Sequence, residues 1–317
     1  MRTATALDVG AVSPVSALSR SLVGWSVLCL GVGLSITLTR LAAPATGDGP
    51  LTARTVQAVI VAVIVIPPIM ILRNRLGGSS RRRGHRPSFA WARPAAIATG
   101  IGVLTAAATW APAIWAGWVR VGSVSVQQLL VFLAVNTLIA LLYEAVPEEI
   151  ALRGYAWDSL RQRFRPIIAT AAVTALFCAT YTGISAVQTA SALLLGVRAD
   201  GITLSPDGTD PVAYLLQISL FGLALIAARA LPVPGALAAA VSFHLVHLAV
   251  NRVLFGGLGG FDTGVEANVV APDASALVLV HIVLSGIVFA ALRKALRTRS
   301  RTPSHGRRGD VGVESRS

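Results

Sequence analysis

The sequence predicts an all-α fold, a polytopic membrane protein whose roughly eight transmembrane helices form one bundle. The first observation is composition, because the 317 residues are 54% hydrophobic and only 13% charged, whereas soluble domains carry about 25% charged residues. The second is a mean hydropathy of +0.70, with eight apolar runs near the roughly 20 residues that a bilayer core requires. The third is the clustering of basic residues in the connections on one predicted side.

The predicted spans follow one another closely, so no separate soluble module is expected. They lie near residues 21–43, 55–73, 95–117, 126–157, 167–194, 213–231, 235–256 and 275–292. Residues 1–20 are predicted to form a polar N-terminal segment, 21–297 one transmembrane domain, and 298–317 a disordered basic tail. The Gly, Ser and Arg composition of residues 74–94 predicts a hinge.

Charge placement predicts the orientation of the chain. Seven arginines lie in residues 73–93, eight Arg or Lys follow from Arg293 onward, and a third basic group follows the fourth span. Eight spans with both termini in the cytoplasm place all three groups on the cytoplasmic side, as the positive-inside rule requires. The opposite loops, residues 196–211 and 256–273, carry six acids and one arginine. The predicted partner is therefore the lipid bilayer of the cell membrane, and no nucleic acid is expected.

The stretch LLYEAVPEEIALRGYAWDSL places charge beside an apolar run and allows two interpretations. Its charged residues include Glu144, Glu148, Glu149 and Arg153. In the first interpretation the span ends at Val146, and Pro147 opens a short cytoplasmic helix whose acids are wetted. In the second interpretation the helix continues to Trp157. Glu148 then lies nine residues before Trp157, about 13 Å deeper along the helix at 1.5 Å per residue. Carboxylates at that depth must face the bundle interior or a water-filled cavity, where they indicate function.

The spacing of these residues suggests different roles for the two adjacent glutamates. Glu149 and Arg153 are four residues apart, so they can pair along the helix. Glu144 and Glu148 have the same spacing, which puts a like charge beside Glu148. We therefore expect Glu148 to be the reactive base and the Glu149–Arg153 pair to fix the geometry of the site.

A second polar cluster is predicted at the same depth in the seventh span, GALAAAVSFHLVHLAVNRVLFG. His244, His247 and Asn251 have spacings that place them on one helical face. His244 lies ten residues after Pro234, about 15 Å along the helix. Each histidine alone is compatible with a hydrogen bond between packed helices. With Arg252 also in this span, the cluster of polar residues favours a functional site over helix packing alone.

These residues resemble the motifs of a known family. EEIALR at 148–153 and HLAVN at 247–251 are similar to the EExxxR and HxxxN/D motifs of the CAAX-prenyl-protease and bacteriocin-processing family of intramembrane endopeptidases, also called Abi proteins. The resemblance covers about residues 125–255 and implies an eight-helix core. The family also has an FxxxH motif. Here FCATY supplies Phe177 but puts Tyr181 where the family has histidine.

The resemblance implies roles for the motif residues. In the family the second-motif histidine and the first glutamate activate water, and the third motif stabilises the oxyanion; those positions here are Tyr181, Glu148, His247 and Asn251. A phenol stays protonated at neutral pH, so Tyr181 can donate a hydrogen bond but cannot act as the base. We expect His244 to stand in for the missing histidine. The predicted function is an intramembrane endopeptidase that cleaves a peptide or membrane-protein substrate near the cytoplasmic side.

Other functions remain open at this point. A family member that lost its base would be a membrane scaffold or an immunity factor, and buried Glu and His residues also occur in proton-coupled transporters. A metalloendopeptidase-like site would use zinc held by Glu148, His244 and His247, although the helical HExxH arrangement is absent. Cys29 and Cys178 lie inside apolar runs and predict neither a disulfide framework nor a cysteine metal site.

Overall fold

Eight helices long and apolar enough to cross a membrane form the described part of the chain. The computed structural model describes residues 13–46, 49–76 and 90–299. The helices are α1 (Pro14–Thr46), α2 (Pro50–Leu76), α3 (Ala92–Trp115), α4 (Val126–Arg161), α5 (Pro166–Leu194), α6 (Pro211–Arg229), α7 (Leu237–Phe255) and α8 (Leu277–Arg299). The predicted all-α polytopic bundle is confirmed. Helix α1 begins at Pro14, so it takes in part of the segment predicted to be polar.

Three predictions fall wholly or partly on residues outside this description, and one of them is the N-terminal segment, of which residues 1–12 lie outside it. The tail from residue 300 onward lies outside it, as does the greater part of the predicted hinge, residues 77–89.

Several helix ends follow from local sequence. The Ser125 side chain caps α4 by accepting from Gln128 N at 3.3 Å. The Asp210 carboxylate caps α6 by accepting from Ala213 N at 2.8 Å, with Pro211 as the first helical residue. Gly256 ends α7 with a φ of 97°, a conformation that residues with a side chain rarely adopt.

Helix α4 is irregular where the glutamates lie. The segments Leu141–Ala145 and Glu149–Ala156 are π-helical and flank a short α-helical piece that contains Pro147. Proline has no N–H to donate to the preceding turn, so a regular α-helical ladder cannot run through this point. Such wide turns are frequent at functional sites.

A small antiparallel sheet closes one end of the bundle. Strand β1 (Val119–Val124) precedes α4, and strand β2 (Val265–Val269) lies in the connection between α7 and α8. The register pairs Val119 with Val269 and Val121 with Ala267, with an irregularity before Val124. A 3-10 turn, Pro272–Ala276, then leads into α8.

The bundle has two chemically different faces. The arginine-rich face is formed by residues 73–76, 157–166 and 293–299, and the sheet-bearing face by residues 116–126, 195–211 and 256–276. At the first face the N-terminal part of α1 reaches the α4–α5 connection, where Arg20 Nη1 donates to Gln162 Oε1 at 3.5 Å. At the second face the end of α1 meets the α5–α6 connection through Arg40 and Asp200, 2.6 Å apart.

Small residues let the helices approach closely. A side-chain carbon at Gly183 of α5 would lie 2.6 Å from Cys29 Sγ and 2.7 Å from the Trp25 ring, both on α1. A side-chain carbon at Gly24 would likewise lie 2.7 Å from the Tyr155 ring of α4. Packing through small residues is the usual way in which membrane helices associate, because lipid supplies no hydrophobic driving force between them. These contacts fix α1 against the two helices that carry the first and second motifs.

Candidate active site

A cavity of about 700 Å³ lies inside the bundle and contains most of the predicted site residues. Its lining includes Glu144, Glu148, Phe177, Tyr181, His244, His247 and Asn251. Because α4 runs unbroken from Val126 to Arg161, the interpretation with a new cytoplasmic helix at Pro147 is wrong. Glu148 therefore belongs to a membrane-spanning helix and faces the cavity.

Glu149 lies behind the cavity in a fully buried ion pair. Arg153 Nη1 donates to Glu149 Oε1 at 3.2 Å, and both side chains are 0% exposed. The predicted pairing along the helix is thus present. His244 Nδ1 lies 3.2 Å from the same Glu149 oxygen, and because a carboxylate only accepts, this ring nitrogen carries the proton. His244 also lines the cavity, and its Nε2 is not engaged by Glu149.

Arg153 is held from three sides. Its guanidinium lies over the Phe177 ring, 4.1 Å from the ring centroid, which makes a favourable cation–π contact. The Arg153 carbonyl accepts from Arg229 Nε at 3.2 Å. Arg229 also pairs with Asp158 at 3.0 Å, so the end of α6 is tied to α4. The first-motif arginine and the second-motif phenylalanine therefore pack together.

The third motif forms a separate pair on α7. Asn251 Nδ2 donates to His247 Nε2 at 3.0 Å. In this arrangement neutral His247 accepts at Nε2 and cannot donate there, whereas the second N–H of the Asn251 amide remains available to the cavity. The Phe221 ring stacks on His247 at 4.3 Å and meets His244 edge-on at 5.0 Å. One aromatic side chain thus packs against both histidines.

Glu144 does not act as a free like-charged neighbour of Glu148, because Arg252 pairs with it. Arg252 Nη1 also donates to Asn136 Oδ1 at 2.8 Å. This contact joins α7 to α4 beside the cavity. Sequence reasoning placed Arg252 in the cluster without a partner and missed Asn136, a polar residue alone in the apolar run LAVNTL.

Tyr181 lines the cavity at the position of the family histidine. Its ring contacts the Tyr214 ring edge-on, with centroids 5.8 Å apart. Tyr214 of α6 also lines the cavity and was not predicted. Two phenols therefore line the cavity side by side.

The residues proposed as zinc ligands do not assemble into a metal site. Among the described residues no three His, Cys, Asp or Glu side chains are grouped so that they could hold a metal ion. His244 Nδ1 is engaged by Glu149, and His247 Nε2 by Asn251. The mechanism proposed for these residues uses no metal ion.

His281 of α8 is a buried polar residue that sequence reasoning missed. It is 0% exposed, and its Nε2 lies 3.2 Å from the Gly102 carbonyl oxygen. Because a carbonyl only accepts, Nε2 donates. The His281 ring centroid lies 5.5 Å from that of His247. The sequence feature that could have revealed it is a single histidine within the apolar run LVLVHIVLS.

The cavity extends along much of the bundle. Much of its lining comes from the helix halves nearer the sheet-bearing face, whereas Glu148, Phe177, Phe221 and His244 lie in the halves nearer the arginine-rich face. Arg40 near the end of α1 and Pro50 at the start of α2 line it, as do Pro206 and Gly259 in the connecting loops. The opening to the cytoplasm stays a prediction, since depth measured along two helices does not say where the six surrounding helices separate.

The profile of the family described as type II CAAX prenyl endopeptidase Rce1-like matches residues 128–251. The match covers 124 of the 317 residues and is a similarity to this family over the region from α4 to α7. Comparisons with curated proteins and with solved structures gave no significant match. The Rce1-like region contains all three motif segments, from Glu148 on α4 to Asn251 at its last position. Arg252, which pairs with Glu144, is the next residue after this region, and His281, whose ring lies near that of His247, is 30 residues beyond its end. The similarity supports intramembrane protease activity in general, and the eight long apolar helices indicate a multi-pass membrane protein.

Proposed function

We propose that the chain is an intramembrane endopeptidase that hydrolyses a peptide bond in the cavity lined by Glu148. The observation that supports this best is the convergence of Glu148, His244 and Asn251 on one cavity, with Glu149 and Arg153 buried behind it. Placing acid and imidazole side chains inside a membrane bundle costs free energy, so their presence in a cavity there indicates a functional site.

Glu148 takes the proton from the attacking water in this mechanism. His244 assists at Nε2, because Glu149 holds its Nδ1–H and thereby fixes the ring and its tautomer. A histidine oriented by a carboxylate is a common arrangement for general acid–base chemistry. Arg153 in turn donates to Glu149 and holds its carboxylate in place. His244 thus takes the role that the family gives to the histidine missing at Tyr181.

The oxyanion of the tetrahedral intermediate is stabilised by Asn251. Asn251 lines the cavity, and His247 accepts one of its amide N–H groups and leaves the second for the substrate. Tyr181 supplies a further hydroxyl donor on the cavity wall. Losing one such donor costs about 10²- to 10³-fold in rate. The proton that Glu148 has taken is then given to the leaving amine, which completes the hydrolysis.

The test is cleavage of membrane-derived peptides by the purified full-length protein, followed by mass spectrometry of the products. Glu148→Gln should lower the cleavage rate by about 10²- to 10⁴-fold, as expected for loss of a positioned base. Asp207→Asn is the matched control, because Asp207 is exposed in the α5–α6 loop. Equal cleavage by wild type and Glu148→Gln would overturn the proposal.

The second candidate is a binding protein that kept the cavity and lost catalysis. Tyr181, in edge-on contact with Tyr214, favours it because a phenol at this position cannot act as the base. Such a scaffold or immunity factor would bind a membrane peptide without cleaving it. Peptide binding with intact peptide recovered after long incubation would support this candidate.

A further inference from the structure

A groove between α6 and α8 lies at the arginine-rich face, apart from the candidate active site. Its volume is about 540 Å³, and none of its lining residues lines the cavity of Glu148. The two helices pack closely just beside it, since a side-chain carbon at Gly286 would lie 3.6 Å from Ala224 Cβ. The lining combines small apolar residues with the basic residues of the last turns of α8: Ala227, Ala290, Arg293, Lys294 and Arg297.

The described lining of this groove is basic and includes no acidic side chain. The charged side chains that act on Arg293 are Arg161 and Arg297, and both repel it. Arg293 Nε is buried and has no hydrogen-bond partner among the described residues. Repulsion between like charges and a buried donor without an acceptor both cost free energy. A bound anion would offset both costs.

Exposed apolar side chains continue the line of the groove along both helices, toward the middle of the bundle. On α8, Val283 and Ile287 precede Ala290 by seven and three residues, which places them on the same helical face. On α6, Leu223 precedes Ala227 by four residues. Val283, Ile287 and Leu223 are all exposed at the surface of the bundle. In a membrane helix such a face contacts the acyl chains of lipids, which are as apolar as the side chains.

We propose that the groove binds an anionic phospholipid, with its phosphate on Arg293, Lys294 and Arg297 and its acyl chains along the exposed apolar face of α6 and α8. Guanidinium groups bind phosphate oxygens in pairs, and a lysine ammonium adds a compact point charge. A free phosphate would contact the basic end alone, whereas a phospholipid matches the basic end and the apolar face together. Binding of this lipid does not depend on catalysis by Glu148.

The test is native mass spectrometry of the purified full-length protein, titrated with phosphatidylglycerol or with phosphatidylcholine of the same acyl chains. Phosphatidylglycerol should bind more tightly. The double variant Arg293→Gln/Lys294→Gln should weaken its binding about 25-fold, or roughly fivefold for each basic residue lost. The matched control is Arg163→Gln/Arg165→Gln, which removes the same charge from exposed residues of the same face outside the groove. This control should leave the affinity unchanged.

Equal weakening by the two double variants would overturn the proposal, because the lipid would then respond to surface charge in general. Equal affinity for phosphatidylcholine and phosphatidylglycerol would also overturn it. Displacement of phosphatidylglycerol by an equimolar amount of glycerol phosphate would show that the apolar face is not used and would exclude a phospholipid as the occupant. If Arg293→Gln prevents folding, the single variants Lys294→Gln and Arg163→Gln make the same comparison, since both side chains are exposed. The expected difference is then about fivefold.

Discussion

At the residue scale, the site consists of two adjacent glutamates with different surroundings. Glu148 lines the cavity, while Glu149 is 0% exposed and holds both Arg153 and His244. A one-residue step along a helix turns the side chain by about 100°, so neighbours in sequence can face a cavity and a core. The spacing predicted the Glu149–Arg153 pair. It could not predict that His244 would bind Glu149, because that contact depends on how α7 packs on α4.

The buried pair gives a stability prediction. Glu149→Gln leaves the Arg153 charge buried without its partner, and breaking such a pair typically costs about 3–5 kcal/mol. The measurement is the unfolding free energy of the purified protein in detergent. Asp158→Asn is the comparison, because the Asp158 side chain is 34% exposed in its pair with Arg229, and such pairs contribute about 0–1 kcal/mol. Equal losses in the two variants would contradict the assigned role of Glu149.

The substitute role of His244 gives a rescue prediction. His244→Ala should lower the cleavage rate by about 10²-fold, since a positioned proton-transfer group is lost. Adding Tyr181→His to that variant restores an imidazole on the same cavity and should recover part of the rate. Tyr181→Phe in the same background supplies no base and should recover nothing. Equal cleavage rates in the two double variants, with His or Phe at position 181, would show that His244 does not replace the family histidine.

At the element scale, the close approach of α1 and α5 holds the second motif in position. Gly183→Ala would place a carbon 2.6 Å from Cys29 Sγ, so we expect a loss of about 1–3 kcal/mol from overpacking. Gly100→Ala in α3 is the matched control, because nothing lies within 4 Å of the added carbon. Thermal unfolding in detergent measures both. A control as damaging as Gly183→Ala would show that the contact is not the cause.

Helix boundaries and helix interiors differ in how far the sequence predicts them. The eight spans could be predicted because a bilayer demands long apolar runs, and caps such as Ser125 and Asp210 follow local rules. The π-helical turns of α4 could not be placed from the sequence, although Pro147 signals an interrupted ladder. The positions of the π-helical turns depend on tertiary contacts, such as the hydrogen bond from Arg229 to the Arg153 carbonyl.

At the scale of the whole molecule, the bundle has an arginine-rich face and a sheet-bearing face, and the cavity lining reaches the loops of the second. The arginine clusters predict that the first face is cytoplasmic. The sequence predicted which side carries the arginines. It could not predict the shape of the cavity, because the separation of six helices is a property of their packing and not of any single span.

The central claim is that Glu148 performs the chemical step inside the bundle. The most direct test is the steady-state kinetics of one cleaved peptide with wild type and Glu148→Gln, with kcat and KM resolved. A base that acts only in the transition state predicts a fall in kcat of at least about 10²-fold with KM nearly unchanged. An unchanged kcat with a raised KM would mean that Glu148 only binds the peptide, and the account of the mechanism would be wrong.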